Sequence, residues 1–97
     1  MNKITKTQEE IYEYFIFKFG AKMQRQQVAE ECSELSLAIL KQNRNKTGKE
    51  MDMKVIEEIG DVLNAIESYL YMYGVDIEDV NSARLAKLEN YYNKIKD

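Results

Sequence analysis

Two versions of one pattern lie twenty-seven residues apart in this chain. Val28 to Ile39 reads VAEECSELSLAI, and Val55 to Ile66 reads VIEEIGDVLNAI. Aligned without gaps, they match Val28 with Val55, Glu30 with Glu57, Glu31 with Glu58, Ala38 with Ala65 and Ile39 with Ile66, while Glu34 falls opposite Asp61. Each copy carries an apolar stripe at helical spacing: Val28, Cys32, Leu35 and Ile39 in the first, Val55, Ile59, Val62 and Ile66 in the second. Two helices with matching stripes are expected to pack together, and an antiparallel pairing through a short connection would bring corresponding residues face to face.

The acids repeat with the apolar residues. Glu31 and Glu34 flank the first stripe, Glu58 and Asp61 the second. Residues three apart on a helix have Cβ atoms about 5 to 6 Å apart, so each pair forms a two-carboxylate pincer. Four carboxylates beside an apolar seam repel one another and resist burial unless something compensates. A hard divalent cation does so: Mg²⁺ takes oxygen ligands and joins carboxylates to substrate phosphates. Mg²⁺ is the expected cofactor, with Mn²⁺ as a substitute. Lys54 lies four residues before Glu58 and shares its face, which suits an ion pair or a phosphate contact. Asn64, three after Asp61, points the same way and suits a metal ligand or a sugar hydroxyl.

Composition narrows the alternatives. Ninety-seven residues, 44% hydrophobic and 32% charged, describe one domain. The net charge of −3 argues against a surface that holds nucleic acid by charge. No apolar run approaches the length of a membrane span and the N-terminus is polar, so a cytoplasmic protein without membrane partners is expected. The absence of histidine excludes Glu-x-x-His di-iron bundles and Ser-His or Cys-His catalysis. Cys32, the lone cysteine, reads as a small buried hydrophobe on the first stripe.

Four helices are expected, giving an all-α bundle. Thr7 and Glu10 read as a capping box opening the first helix, which stops at Gly20. Its apolar face, Ile11, Tyr14, Phe15 and Phe19, is rich in aromatics and suits a core, a subunit interface or a wall against a nucleobase. The second helix is expected from about Lys22 to Gln42. The stretch Asn43 to Glu50 is the best loop, with Arg44, Lys46 and Lys49 available to close over a polyphosphate. The third helix runs from about Asp52 to Tyr73 with Gly74 as its cap, and Asp76 opens the fourth, ending near Ile95. Aromatics on several helix faces predict a homo-oligomer, a dimer or a dimer of dimers.

Glu31-x-x-Glu34 followed by Glu58-x-x-Asp61 resembles the EExxE...ExxD signature of the MazG-like all-α nucleoside triphosphate pyrophosphohydrolases, relatives of the dimeric dUTPases and of phosphoribosyl-ATP pyrophosphohydrolase. The resemblance extends from about residue 24 to residue 90. It implies hydrolysis of the bond between the α and β phosphates of a (deoxy)nucleoside triphosphate. Glu31, Glu34, Glu58 and Asp61 would hold the metal, and Glu30 or Glu57 would orient or deprotonate a water activated by it. In this family a lysine followed closely by an arginine on the last helix faces the phosphates. Lys87 fits the lysine, but Asn90 stands where the arginine is expected, leaving Arg84 one turn earlier as substitute. Tyr69, Tyr73 and Gln27 are candidates for the base pocket. Phosphoribosyl-ATP hydrolysis and a non-catalytic helical dimerisation module remain the alternatives.

Overall fold

A computed structural model describes residues 1–43 and 52–96 of the chain. It is all helical among these residues: α1 spans Lys6–Asn43, α2 Met53–Met72 and α3 Ile77–Ile95. The loop residues Arg44, Lys46 and Lys49 lie outside the described residues. No helix among those described is long and apolar enough to cross a membrane.

Among the described residues there are three helices and not the four expected, because the first two are one element bent at Gly20. The backbone there is non-helical, with φ 79° and ψ 172°, a conformation essentially confined to glycine. The bend is sharp. The Tyr12 hydroxyl donates to Glu67 and the Ser68 hydroxyl donates to Gln24, so residues twelve apart on α1 reach adjacent positions on α2. A straight helix would separate Tyr12 from Gln24 by about 18 Å. The chain therefore doubles back, and the arm before Gly20 and the arm after it both pack against the C-terminal half of α2.

The helix ends follow local chemistry. A capping box opens α1, formed by Thr5 and Gln8 and not by Thr7 and Glu10: Gln8 N–H donates to Thr5 Oγ1 at 3.1 Å, and Thr5 N–H donates to Gln8 Oε1 at 2.7 Å. Both pairs have the T-x-x-E/Q spacing, and the observed one fixes the start two residues earlier. Asp52 caps α2 by accepting from the Lys54 N–H, and Asp76 caps α3 by accepting from the Glu78 N–H, each at 3.0 Å. Between them, Gly74 at φ 66° allows Val75 N–H to reach Leu70 O and Gly74 N–H to reach Tyr71 O, the paired bonds of a Schellman motif.

The C-terminal arm of α1 runs antiparallel to α2, since Gln24 meets Ser68 while, further along, Gln42 Oε1 accepts from the Asp52 N–H. The seam between them is rotated from the expected stripe. On α2 the buried residues are Val55, Glu58, Val62, Ala65 and Ser68. On α1 the shielded residues are Val28, Glu31, Leu35 and Ala38, while Cys32 and Ile39 are exposed. The spacing is three-then-four and not four-then-three, so Glu31 and Glu58 replace Cys32 and Ile59 at the contact. Cys32 is thus not the buried hydrophobe expected: the small Ala38 and Ala65 let the helices meet on the acidic side, turning Cys32 outward.

Candidate metal centre

Antiparallel packing along the rotated seam brings the repeated acids together. One carboxylate oxygen from each of Glu31, Glu34 and Glu58 lies within 4.8 Å of the others. Glu58 is only 4% exposed, Glu31 is half-buried and Glu34 is exposed. Asp61 stands outside this trio but is close enough to act on Glu31. Burial, followed by the charges of Glu34, Asp61 and Glu58, pushes the Glu31 carboxyl above the usual carboxylate range, with a hydrogen bond from Gln27 pulling the other way.

The donors present do not satisfy these acids. Gln27 Nε2 donates to Glu31 Oε1 at 2.6 Å, and Lys54 Nζ pairs with Glu58 Oε1 at 2.8 Å. That pairing raises the Lys54 ammonium above the ordinary lysine range. The second oxygens, Glu31 Oε2 and Glu58 Oε2, are both shielded from solvent and have no hydrogen-bond partner among the described residues. An unpaired shielded acceptor costs about 1 to 3 kcal/mol, more when charged. Two such oxygens beside a third carboxylate form a hard, all-oxygen donor set, which fits a divalent cation such as Mg²⁺ or Mn²⁺.

Beside the acids, a cavity of about 320 Å³ fills the angle made by the two arms of α1 and α2. Tyr12, Phe15 and Phe19 wall it from the N-terminal arm. Gln24, Gln27 and Glu31 line it from the other arm, and Asp61, Asn64, Ala65 and Ser68 from α2. The bend at Gly20 creates this space. Tyr12 is buried, and its hydroxyl donates to Glu67 at 2.7 Å. Burial first, then that bond and the Glu67 charge, push the phenol well above the usual tyrosine range, so it stays a donor.

Of the residues singled out from sequence, Glu31, Glu34 and Glu58 converge, Asp61 and Asn64 line the adjoining cavity, and Lys54 touches Glu58. Glu30 and Glu57 are exposed and neither lines the cavity nor joins the trio. Arg84 and Lys87 are exposed on α3, of which no residue is buried, and neither reaches the cavity. Phe15, Phe19 and Gln27 do line it. Tyr69 and Tyr73 do not: they pack edge to face on each other, 5.2 Å between centroids. Sequence reasoning passed over Tyr12, Gln24 and Ser68. Tyr12 sits on the helix that carries the other two aromatics, a usable signal, but nothing local distinguishes Gln24 from its neighbours Gln26 and Gln27.

The model of the MazG nucleotide pyrophosphohydrolase domain matches residues 19–95. No curated protein and no solved structure matches the chain.

Proposed function

Because the chain belongs to the MazG nucleotide pyrophosphohydrolase family, we propose that it is a Mg²⁺-dependent enzyme that hydrolyses a (deoxy)nucleoside triphosphate between the α and β phosphates. The reaction consumes one water, breaks that anhydride and yields a nucleoside monophosphate and pyrophosphate. The observation that carries this reading is the pair of shielded, unpartnered oxygens of Glu31 and Glu58 opening beside a cavity of nucleoside scale.

Glu31, Glu34, Glu58 and Asp61 would hold the metal, which when bound supplies charge stabilisation and a water of lowered pKa. Lys54, already at Glu58, would neutralise charge on the phosphates, and Asn64 would meet the sugar or the metal shell. Glu30 and Glu57, both exposed, would act at the rim, orienting water that approaches from solvent. Arg84 and Lys87, exposed on α3 and outside the cavity, would add positive charge on the approach of the phosphates. We place the enzyme in the cytoplasm as a homo-oligomer, with nucleotides and neither nucleic acid nor membrane as partners.

Incubation with Mg²⁺ and a panel of ribo- and deoxyribonucleoside triphosphates should release pyrophosphate and no orthophosphate. Release from phosphoribosyl-ATP alone would move the chain to that narrower reaction. No release, together with no heat of Mg²⁺ or Mn²⁺ binding in calorimetry, would leave only the helical dimerisation module.

A further inference from the structure

We infer that Gln24, held in place by Ser68, reads the base of the nucleotide and selects bases with an oxo group over bases with an amino group at the same ring position. The inference rests on reading the cavity as a nucleotide site and adds what that site discriminates.

The cavity has two chemically distinct ends. Glu31 and Asp61 mark the phosphate and metal end. Ser68 lies seven residues beyond Asp61 on α2, about 10 Å along the helix, and marks the other end together with Gln24, Tyr12, Phe15 and Phe19. Three aromatic rings offer flat faces and no charge there, which suits a base. A planar ring among such walls is told from others by the polar groups at its edge.

Two glutamines line this space, and their amides are committed differently. Gln27 Nε2 is taken by Glu31 Oε1, so Gln27 belongs to the acidic end. Gln24 is 94% buried, being only 6% exposed, and its Oε1 accepts from the Ser68 hydroxyl at 2.8 Å, itself a buried bond. With the Ser68 hydroxyl donating to Oε1, Nε2 is the amide atom left for the cavity. The Gln24 Nε2 group has no protein partner among the described residues, and the side chain lines the cavity. A donor left free on the cavity wall of a residue this buried can take an acceptor from a bound ligand. A base oxo group supplies one, and the ring N–H beside it can meet the remaining lone pair of Gln24 Oε1. An exocyclic amino group in that place would set donor against donor. Ser68 acts through Gln24 and is a positioning residue, not a contact.

The test is binding and not turnover, so its outcome is separate from that of the hydrolysis assay. Two matched pairs of 5′-monophosphates are titrated calorimetrically in Mg²⁺: uridine against cytidine, and inosine against adenosine. Each pair differs at one exocyclic group and the adjacent ring proton. The wild-type chain should bind the oxo member about three- to tenfold more tightly, the scale of one net hydrogen bond. Gln24→Met should bring the ratio to near one. Gln24→Glu presents an acceptor in place of the donor and should reverse the preference, and Ser68→Ala should weaken it while Ser68→Thr, which keeps the hydroxyl, retains it. Helix content by circular dichroism accompanies each variant, and either Gln24 variant decides the matter if the other does not fold. Failure of any monophosphate to bind the wild type overturns the inference even where pyrophosphate release is seen. So does an amino preference, or an oxo preference that survives both Gln24 substitutions.

Discussion

At the scale of single residues, one helical step decides the character of the site. Had α1 and α2 met along Cys32, Ile39, Ile59 and Ile66, the four acids would sit on a solvated flank. The actual contact shields one oxygen of Glu31 and one of Glu58 without a donor, and this makes the metal-free chain electrostatically strained. Removing charge while keeping shape should relieve it. Glu34→Gln should raise the melting temperature in EDTA, by roughly 4 to 8 °C for about 1 kcal/mol of relief in a domain of this size. In Mg²⁺ the order should narrow or reverse, because the wild type gains binding free energy that the variant loses. The sign with pH follows from Glu31, whose carboxyl is held above its ordinary range. Its contribution to metal-free stability is fully present below the unfolded value and is lost as pH rises through the folded one. A variant that melts below wild type by equal margins in EDTA and Mg²⁺ would make these acids structural partners only. The convergence of Glu31, Glu34 and Glu58 was legible because the spacing repeats. The phase of the seam was not: Val28, Leu35, Val55 and Val62 belong to both phases, and apolar side chains at Cys32, Ile39, Ile59 and Ile66 favour the one the structure does not use. The Gln24–Ser68 pair was invisible, since it depends on tertiary register alone.

Among the elements, Gly20 has the largest leverage. The sequence marks it as a stop, and the structure shows a bend that folds the two arms onto one end of α2. What the sequence does not contain is the angle, which is set by the Tyr12–Glu67 and Gln24–Ser68 bonds and not by the glycine. A Cβ at position 20 would meet nothing within 4 Å, so a substitution there is opposed by backbone strain and not by a clash. Gly20→Ala should therefore destabilise the chain by about 1 to 3 kcal/mol, seen as a lower urea midpoint with an unchanged slope. Were α1 a helix that merely tolerates glycine, alanine would stabilise it by about 0.5 to 1 kcal/mol, and that result would remove the bend from the account. The helix caps were legible to within one turn. Two overlapping T-x-x-E/Q pairs compete at the start of α1, and the sequence holds no local reason to prefer Thr5.

For the molecule as a whole, the radius of gyration of 16.2 Å exceeds the roughly 12.5 Å expected of a compact chain of this length. Leu85, Leu88, Tyr91, Tyr92 and Ile95 are all exposed on α3, and Cys32, Ile39 and Leu40 are exposed on α1. We propose that a second copy covers this apolar surface, in which case sedimentation equilibrium should give at least twice the 11.4 kDa chain mass. A monomer at tens of micromolar would count against it. The apolar positions of α3 were evident from periodicity, but a single sequence does not say whether the covering surface lies on the same chain. The doubled-back α1 carries a consequence for the order of assembly. Once the antiparallel pair of helices exists, the N-terminal arm needs only a short closure through Gly20 to dock, whereas before that pair forms it has nothing to dock against. Its attachment to α2 includes hydroxyl-to-carboxylate bonds from Tyr12 and Tyr71, a bond from the Gln8 amide to Glu67, and one buried ring. The cavity is thus expected to be the last part of the fold to be completed and the first to be lost, and a molecule bound inside it would favour the docked arm over any state in which that arm comes away.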